Sequence, residues 1–366
     1  MKILILVHQL TDGGSERVAS LWAKGFYEDG NTVSILLKEE GLPITYQVPE
    51  GVKIIPLKLN RNNYSKYIRY VLKLILLRKI IKDSEADVII SIDPKLSRAA
   101  YLVTRGLGVP IIHTAHNAFE RPEGVKMALS TRIEKFLYNR FYDKVTLLTE
   151  ADKRIIGSRL KNTTVLPNPL AYKPAEKYPE KKKVVLAAGR LDYWHYKGFD
   201  LLLKAWEKLG KEKGEWTLVI AGSSRKGTGI SFLTNMASDL NVSNSVKFIG
   251  YQSDMLPYYK DAAIYVLSSR YEGFGMVLIE AMSQGCACIA ADYKGRQGEI
   301  ITHNADGLLF KPEDVEGLTE ALKNLLNDSE KRKRIGQAAI SRSEYYSVAN
   351  TTKRWYNIFK EMNILG

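Results

Sequence analysis

The stretch Arg270-Tyr271-Glu272-Gly273-Phe274-Gly275-Met276-Val277-Leu278-Ile279-Glu280 carries two carboxylates separated by seven residues, with a glycine-flanked aromatic just after the first. That separation exceeds two helical turns, so both acids can share one side of a helix mouth only if Glu272 precedes the helix. Gly273 and Gly275 let a loop bring backbone N–H groups close to a ligand, and the apolar run from Met276 reads as the first turns of a buried helix. An apolar strand over residues 263–268 feeds into it. Strand, glycine loop and helix in that order form the place where open α/β sheets bind phosphates and sugars. Favourable placement against the helix dipole would select the same two glutamates, so this segment alone does not decide a function.

Outward from it, residues 183–291 alternate strands (183–188, 216–221, 246–249, 263–268, 287–291) with helices (199–209, 230–240, 255–260, 276–284). The first half does the same, with strands 3–7, 32–37, 87–92, 110–113 and 144–149 and helices 15–28, 64–82, 96–107 and 132–141. Continuous apolar strands alternating with helices predict parallel, doubly wound sheets covered on both faces. A chain of 366 residues is more than one core holds. Leu166-Pro167-Asn168-Pro169-Leu170 and the polar run 173–183 read as a linker. The division expected is a first domain over 1–170, a second over 171–345 and a closing segment 346–366 that carries a helix over 348–362. Two Rossmann-like domains so joined face each other across a cleft, where their ligands are expected.

Lys and Arg outnumber Asp and Glu by 54 to 40, a net charge of +14, and the excess is uneven: residues 51–82 hold nine Lys or Arg and no acid. Within them 67–82 is amphipathic with a basic fringe, and 125–144 interleaves Met127, Leu129, Ile133, Phe136, Leu137 and Phe141 with Lys126, Arg132, Lys135 and Arg140. Such helices suit an anionic membrane surface, and equally a packing helix with a basic outer face. No nucleic-acid module accompanies them, and no run of eighteen uncharged apolar residues exists to span a membrane. The first seven residues are too short for a signal-peptide core and fit a buried strand. Cys286 and Cys288, the only cysteines, read as reduced core thiols of a cytosolic protein.

Three further segments sit at strand ends. Thr11-Asp12-Gly13-Gly14-Ser15-Glu16-Arg17 is not the G-x-G-x-x-G fingerprint of a nicotinamide enzyme, yet Gly13 and Gly14 can bring helix N-terminal amides onto an anion, with Ser15 as the natural cap. Ala188-Gly189-Arg190-Leu191-Asp192-Tyr193-Trp194-His195-Tyr196-Lys197-Gly198-Phe199-Asp200 places two cations beside glycines. Ile111-Ile112-His113-Thr114-Ala115-His116-Asn117 offers two histidines, and Phe248-Ile249-Gly250-Tyr251 a further strand end. No Asp-x-Asp occurs anywhere.

Together these segments resemble the retaining glycosyltransferases of family 4, with their Glu-x7-Glu, Gly-Gly-x-Glu-Arg and Gly-Arg-Leu…Lys-Gly-x-Asp motifs; the likeness covers nearly the whole chain and is strongest over 187–299. The resemblance implies the GT-B fold of two Rossmann-like, parallel-sheet domains, with the last helix crossing back to the first domain. It implies that Arg190 and Lys197 contact the diphosphate of a nucleotide sugar, that Gly13 and Gly14 approach it, and that no metal or other cofactor is needed. Glu272 and the amides around Phe274, Gly275 and Met276 would hold the transferred sugar, Glu280 the ribose hydroxyls, and Gly250 and Tyr251 the base. His116, rather than His113, would lie near the sugar. The donor implied is a UDP-sugar carrying a hexose or N-acetylhexosamine. The acceptor implied is a polyprenyl-diphosphate glycan or polysaccharide precursor at the cytoplasmic face of the membrane. Retention would follow from the family's favoured front-face attack or from a double displacement, and the sequence does not decide between them. Lys294-Gly295-Arg296-Gln297-Gly298-Glu299 departs from the family's usual turn, so Arg296 and Gln297 are expected to bear on sugar choice, while the aromatic loop 193–195 has no assigned role. The competing readings are a GT-B epimerase or phosphorylase, and a non-catalytic basic protein that binds membranes or nucleic acid.

Overall fold

The computed structural model describes residues 1–11, 13–38, 42–58, 65–120 and 125–365. The apolar run Lys2–Val7 (β1) is buried at every position after its first residue, which only a strand covered on both faces achieves. It pairs on one side with Thr32–Leu37 (β2), which pairs in turn with Lys53–Pro56 (β3). On its other side follow Val88–Ser91 (β4), Ile111–Thr114 (β5), Lys144–Leu147 (β6) and Thr163–Val165 (β7), giving the order β3-β2-β1-β4-β5-β6-β7.

A second sheet repeats the plan. Lys182–Ala188 (β8), Thr217–Ala221 (β9), Val246–Gly250 (β10), Ala262–Leu267 (β11), Ala287–Ala291 (β12) and Leu308–Phe310 (β13) run in the order β10-β9-β8-β11-β12-β13. All these pairings are parallel, so each sheet has a single carboxyl edge. In each, the chain builds outward from its first strand and then returns to that strand's other side. The reversals fall between β1 and β4 and between β8 and β11, and a reversal opens a crevice at the carboxyl edge.

The described residues form two compact units, Tyr172–Ser347 around the second sheet, and Met1–Ala171 together with Val348–Gly366 around the first. The helix Val348–Glu361 joins the first unit through aromatic packing. Trp355 meets Trp22 edge-on at 5.1 Å, and Phe359 stacks on Phe26 at 5.9 Å. Gly25 permits that closeness, because a Cβ there would collide with the Thr352 hydroxyl.

Several elements differ from the sequence expectation. β3, β7 and β13 were not anticipated: each is only three or four residues long, and β3 and β7 are mostly half-buried, so none presents a long apolar run. The helix expected over 64–82 runs Lys66–Ser84 with Ser65 as its cap, and Tyr64 lies outside the described residues. It fully buries only Leu77 and Ile81, leaving Tyr67, Ile68, Tyr70, Val71 and Ile75 exposed. The helix expected over 132–141 is Leu129–Phe136 followed by a single tight turn, Tyr138–Arg140. Residues 166–170 are irregular as the prolines require, but they are buried rather than a solvated tether. Among the described residues no helix is long and apolar enough to cross a membrane.

Trp355 fills a fully buried site against three aromatic rings, so Trp355→Ala should lower the unfolding free energy by about 3–5 kcal/mol in urea titration. A loss below about 1 kcal/mol would mean that this helix is not part of the first unit's core.

Candidate active site

At the reversal between β8 and β11, two loops lie side by side because their strands are neighbours. The first leaves β8 through Gly189 and Arg190, makes a tight turn Leu191–Tyr193 and the short helix Trp194–Lys197, and enters the helix Phe199–Lys208. Gly198 holds φ at 65°, and a Cβ there would collide with the Ser268 carbonyl oxygen, so glycine is what lets Lys197 reach the end of β11. Ser268 Oγ donates to the Lys197 carbonyl at 3.0 Å and ties the loops together.

Lys197 Nζ lies 2.8 Å from Glu272 Oε2, and Ser269 Oγ donates to the same oxygen at 3.3 Å. Two of the sequence-predicted residues therefore form an ion pair at this edge. Arg190 is exposed, with its guanidinium 4.7 Å from the centre of the Tyr193 ring. Trp194 stacks on Phe232 at 4.0 Å, which anchors the aromatic loop.

The second loop ends at Gly275, φ 90°, where the helix Met276–Ser283 begins, so Glu272 precedes the helix and Glu280 lies within it. Glu280 is only 2% exposed and accepts a hydrogen bond from the Tyr259 hydroxyl at 3.1 Å. Burial, followed by the neighbouring Glu280 charge, pushes the Tyr259 phenol well above its ordinary range, so it stays a donor. Phe274 is buried edge-on against Tyr346, and its carbonyl accepts from Gln297 Nε2 at 3.4 Å. Gln297 Oε1 in turn accepts from the Tyr293 amide at 3.0 Å. Arg296 is also fully buried, 5.1 Å from the Tyr293 ring centre. Neither side chain faces solvent, and only Gln297 bonds to the Phe274 loop. Gly250, φ 70°, ends β10 at the same sheet edge, with Tyr251 beyond it 56% exposed.

The remaining sequence-predicted residues belong to the first unit. Gly13, not Ser15, caps the helix Gly14–Glu28; Ser15 is already inside the first turn and its hydroxyl donates to Glu16 Oε2 at 2.8 Å. The Gly13 amide donates to the Tyr46 hydroxyl at 3.1 Å, and the Glu16 carboxylate folds against Gly13 where a side chain would stand. Asp12 lies outside the described residues. His116 sits two residues beyond β5, its Nε2 2.9 Å from Thr114 Oγ1 and its ring 5.7 Å from Trp22. Burial, and secondarily His113, lowers its pKa to about 3. His113 is in β5 itself, 2.8 Å from Ser97 Oγ, and burial lowers it to about 4. Both are neutral imidazoles at neutral pH.

Two family models match the chain: Glycosyltransferase Family 4 over residues 12–171 and Glycosyl transferases group 1 over residues 171–342. The chain belongs to this glycosyltransferase family. It is 29% identical over 349 residues to an uncharacterized glycosyltransferase of Haemophilus influenzae, a match covering 94% of this chain and 96% of that one. It is 28% identical over 371 residues, 99% of both chains, to the GalNAc-alpha-(1->4)-GalNAc-alpha-(1->3)-diNAcBac-PP-undecaprenol alpha-1,4-N-acetyl-D-galactosaminyltransferase of Campylobacter jejuni. Among solved structures, TarM of S. aureus, crystallised with fondaparinux, alpha-GlcNAc-glycerol and UDP, superposes with a TM-score of 0.81 at 16% identity, over 98% of this chain and all of that one. These neighbours share the GT-B fold.

In this glycosyltransferase, sequence reading missed the residues that hold the loops in place. Arg270 reaches both carboxylate oxygens of Asp200, at 2.7 and 2.8 Å, and donates to the His195 carbonyl at 2.7 Å. The signal was present, since Arg270 adjoins the first glutamate's turn and Asp200 ends the Lys-Gly-x-Asp motif, but nothing in spacing pairs them. With both side chains about nine-tenths buried, Asp200→Asn should cost roughly 3 kcal/mol, because it leaves Arg270 only the exposed Glu313, 3.8 Å from its Nε, as a counter-charge. Chemical denaturation checks it: a cost below about 1 kcal/mol would mark the pair as effectively solvated.

Proposed function

We propose that this glycosyltransferase moves a hexose or N-acetylhexosamine from a UDP-sugar to a lipid-linked glycan or surface-polysaccharide precursor, with retention and without a metal ion. The observation that supports the donor assignment is the Lys197–Glu272 ion pair at the β8/β11 reversal, with the exposed Arg190 on the same loop as Lys197. A nucleoside diphosphate leaving a sugar gains negative charge as the glycosidic bond breaks, and fixed cations lower that barrier. Lys197 spends one of its three donors on Glu272, which aligns it while the others serve the phosphates.

Glu272, with the amides around Phe274, Gly275 and Met276, then holds the transferred sugar, and Glu280 reads the ribose. Gly250 and Tyr251 flank the base. Gly13 and Gly14 approach the diphosphate, and neutral His116 offers a hydrogen bond to a sugar hydroxyl. The UDP in the TarM complex and the undecaprenol-linked substrate in the Campylobacter relative's name support the nucleotide and the acceptor class.

Screening UDP-sugars for nucleotide release, with and without undecaprenyl-diphosphate glycans, tests the reaction; release that ignores the acceptor would favour a GT-B epimerase or phosphorylase. Arg190→Ala should lower turnover about 100-fold or more, and Glu280→Gln should weaken UDP binding about tenfold in calorimetry. Full activity of the Arg190 variant would sink the diphosphate assignment.

The same reading proposes a peripheral seat on the cytoplasmic face of the cell membrane, supported by the helix Lys66–Ser84. It exposes Tyr67, Tyr70 and Ile75 between Lys66, Arg69 and Lys73. Apolar side chains within a basic fringe fit an anionic lipid surface. Co-sedimentation with phosphatidylglycerol vesicles should occur at low salt, fade near ~0.5 M, and drop in the Tyr67→Ser/Tyr70→Ser variant. Equal recovery in the supernatant with and without vesicles would refute the seat.

A further inference from the structure

Arg190 and Lys197 stand on one loop but are held by opposite means. Lys197 is aligned by the Glu272 carboxylate, at 2.8 Å. Arg190 is exposed and has no carboxylate partner among the described residues; its guanidinium rests 4.7 Å from the centre of the Tyr193 ring. The backbone dictates that contact. Residues Leu191–Tyr193 form a single 3-10 turn that Arg190 flanks on its N-terminal side, and the Tyr193 amide donates to the Arg190 carbonyl at 3.0 Å. Three residues complete one such turn, so side chains three apart eclipse and the ring stands beside residue 190.

The turn is fixed by its neighbours. Leu191 is buried, and its amide donates to the Ser223 carbonyl at 2.9 Å. The Asp192 carboxylate accepts from the Ser224 hydroxyl at 2.8 Å and from the Lys226 amide at 3.3 Å. A Cβ at Gly229 would collide with the Leu191 carbonyl oxygen, so the helix Thr228–Asp239 closes on the turn only with glycine there. Beyond the turn, Trp194 stacks on Phe232 of that helix. Tyr193 itself is 46% exposed, so its ring contributes little to the core.

A fixed ring thus lies against an exposed cation. An exposed arginine keeps rotamer freedom that an anion must freeze out on binding. An aromatic face limits that freedom while leaving the positive charge and the N–H donors to the ligand. A carboxylate in the same place would restrict Arg190 as well, but would compete with a diphosphate for it.

We infer that Tyr193 is a positioning residue for the donor, its ring holding the Arg190 guanidinium where it meets the diphosphate. The inference rests on the donor reading above, and deepens it by giving the aromatic loop a task.

Calorimetry on the full chain with UDP as the probe tests it. Tyr193→Ala should weaken UDP binding about three- to tenfold, and Tyr193→Phe, which keeps the ring face, should retain wild-type affinity. Added to Arg190→Ala, the Tyr193→Ala change should cost nothing more, because its effect runs through the guanidinium. Wild-type affinity in Tyr193→Ala, or an equal loss in Tyr193→Phe, overturns the inference. So does the same further loss in the Arg190→Ala background, which would mark the ring as a structural part of the loop. Failure of the parent reading looks different: the wild type would bind no UDP, or Arg190→Ala would bind it undiminished.

Discussion

The fork of Arg270 onto Asp200 is the interaction on which the candidate donor site depends. It joins the loop after β8, which carries Arg190 and Lys197, to the loop after β11, which carries Glu272. Loops that emerge from neighbouring parallel strands are close but not thereby registered. A planar guanidinium donating two fixed bonds registers them, and its third bond, to the His195 carbonyl, adds the backbone. The pair is nearly dry, so its Coulomb attraction is weakly screened, and the Lys197–Glu272 pair nearer the surface inherits an alignment it could not enforce alone.

Sterics complete what electrostatics begins. Gly198 cannot be another residue without pushing Lys197 away from β11, and Gly275 turns the chain into the helix with a left-handed φ. Behind them Gln297 bridges the Tyr293 amide and the Phe274 carbonyl from a fully buried position. The site is therefore preformed from below, by groups that face away from any ligand.

The fold class was legible because parallel strands buried on both faces must be continuous apolar runs, and β1, β4, β8, β11 and β12 are. β3 and β7 escaped notice because an edge strand of three or four half-buried residues has no run to read, and β13 because three apolar residues are too short a run to mark a strand. In the site, position in the chain revealed the residues next to glycines at strand ends. It could not reveal Asp200 with Arg270, Tyr259 with Glu280, or Gln297 with Phe274, since each pair joins positions far apart in sequence. Residues 166–170 show the opposite error, where proline content suggested a loose linker and burial makes them part of a core.

The two sheets solve one topological problem and then diverge in charge. Each leaves a crevice where the chain reverses beside its first strand. At the β8/β11 reversal, Arg190 leans on an aromatic ring rather than a carboxylate, so its charge remains available to an anion. At the β1/β4 reversal the one lysine, Lys38, already lies 3.0 Å from His8 Nδ1 and 3.7 Å from Asp93 Oδ2, so its charge is engaged within the protein. A leaving group that accumulates negative charge calls for the first arrangement.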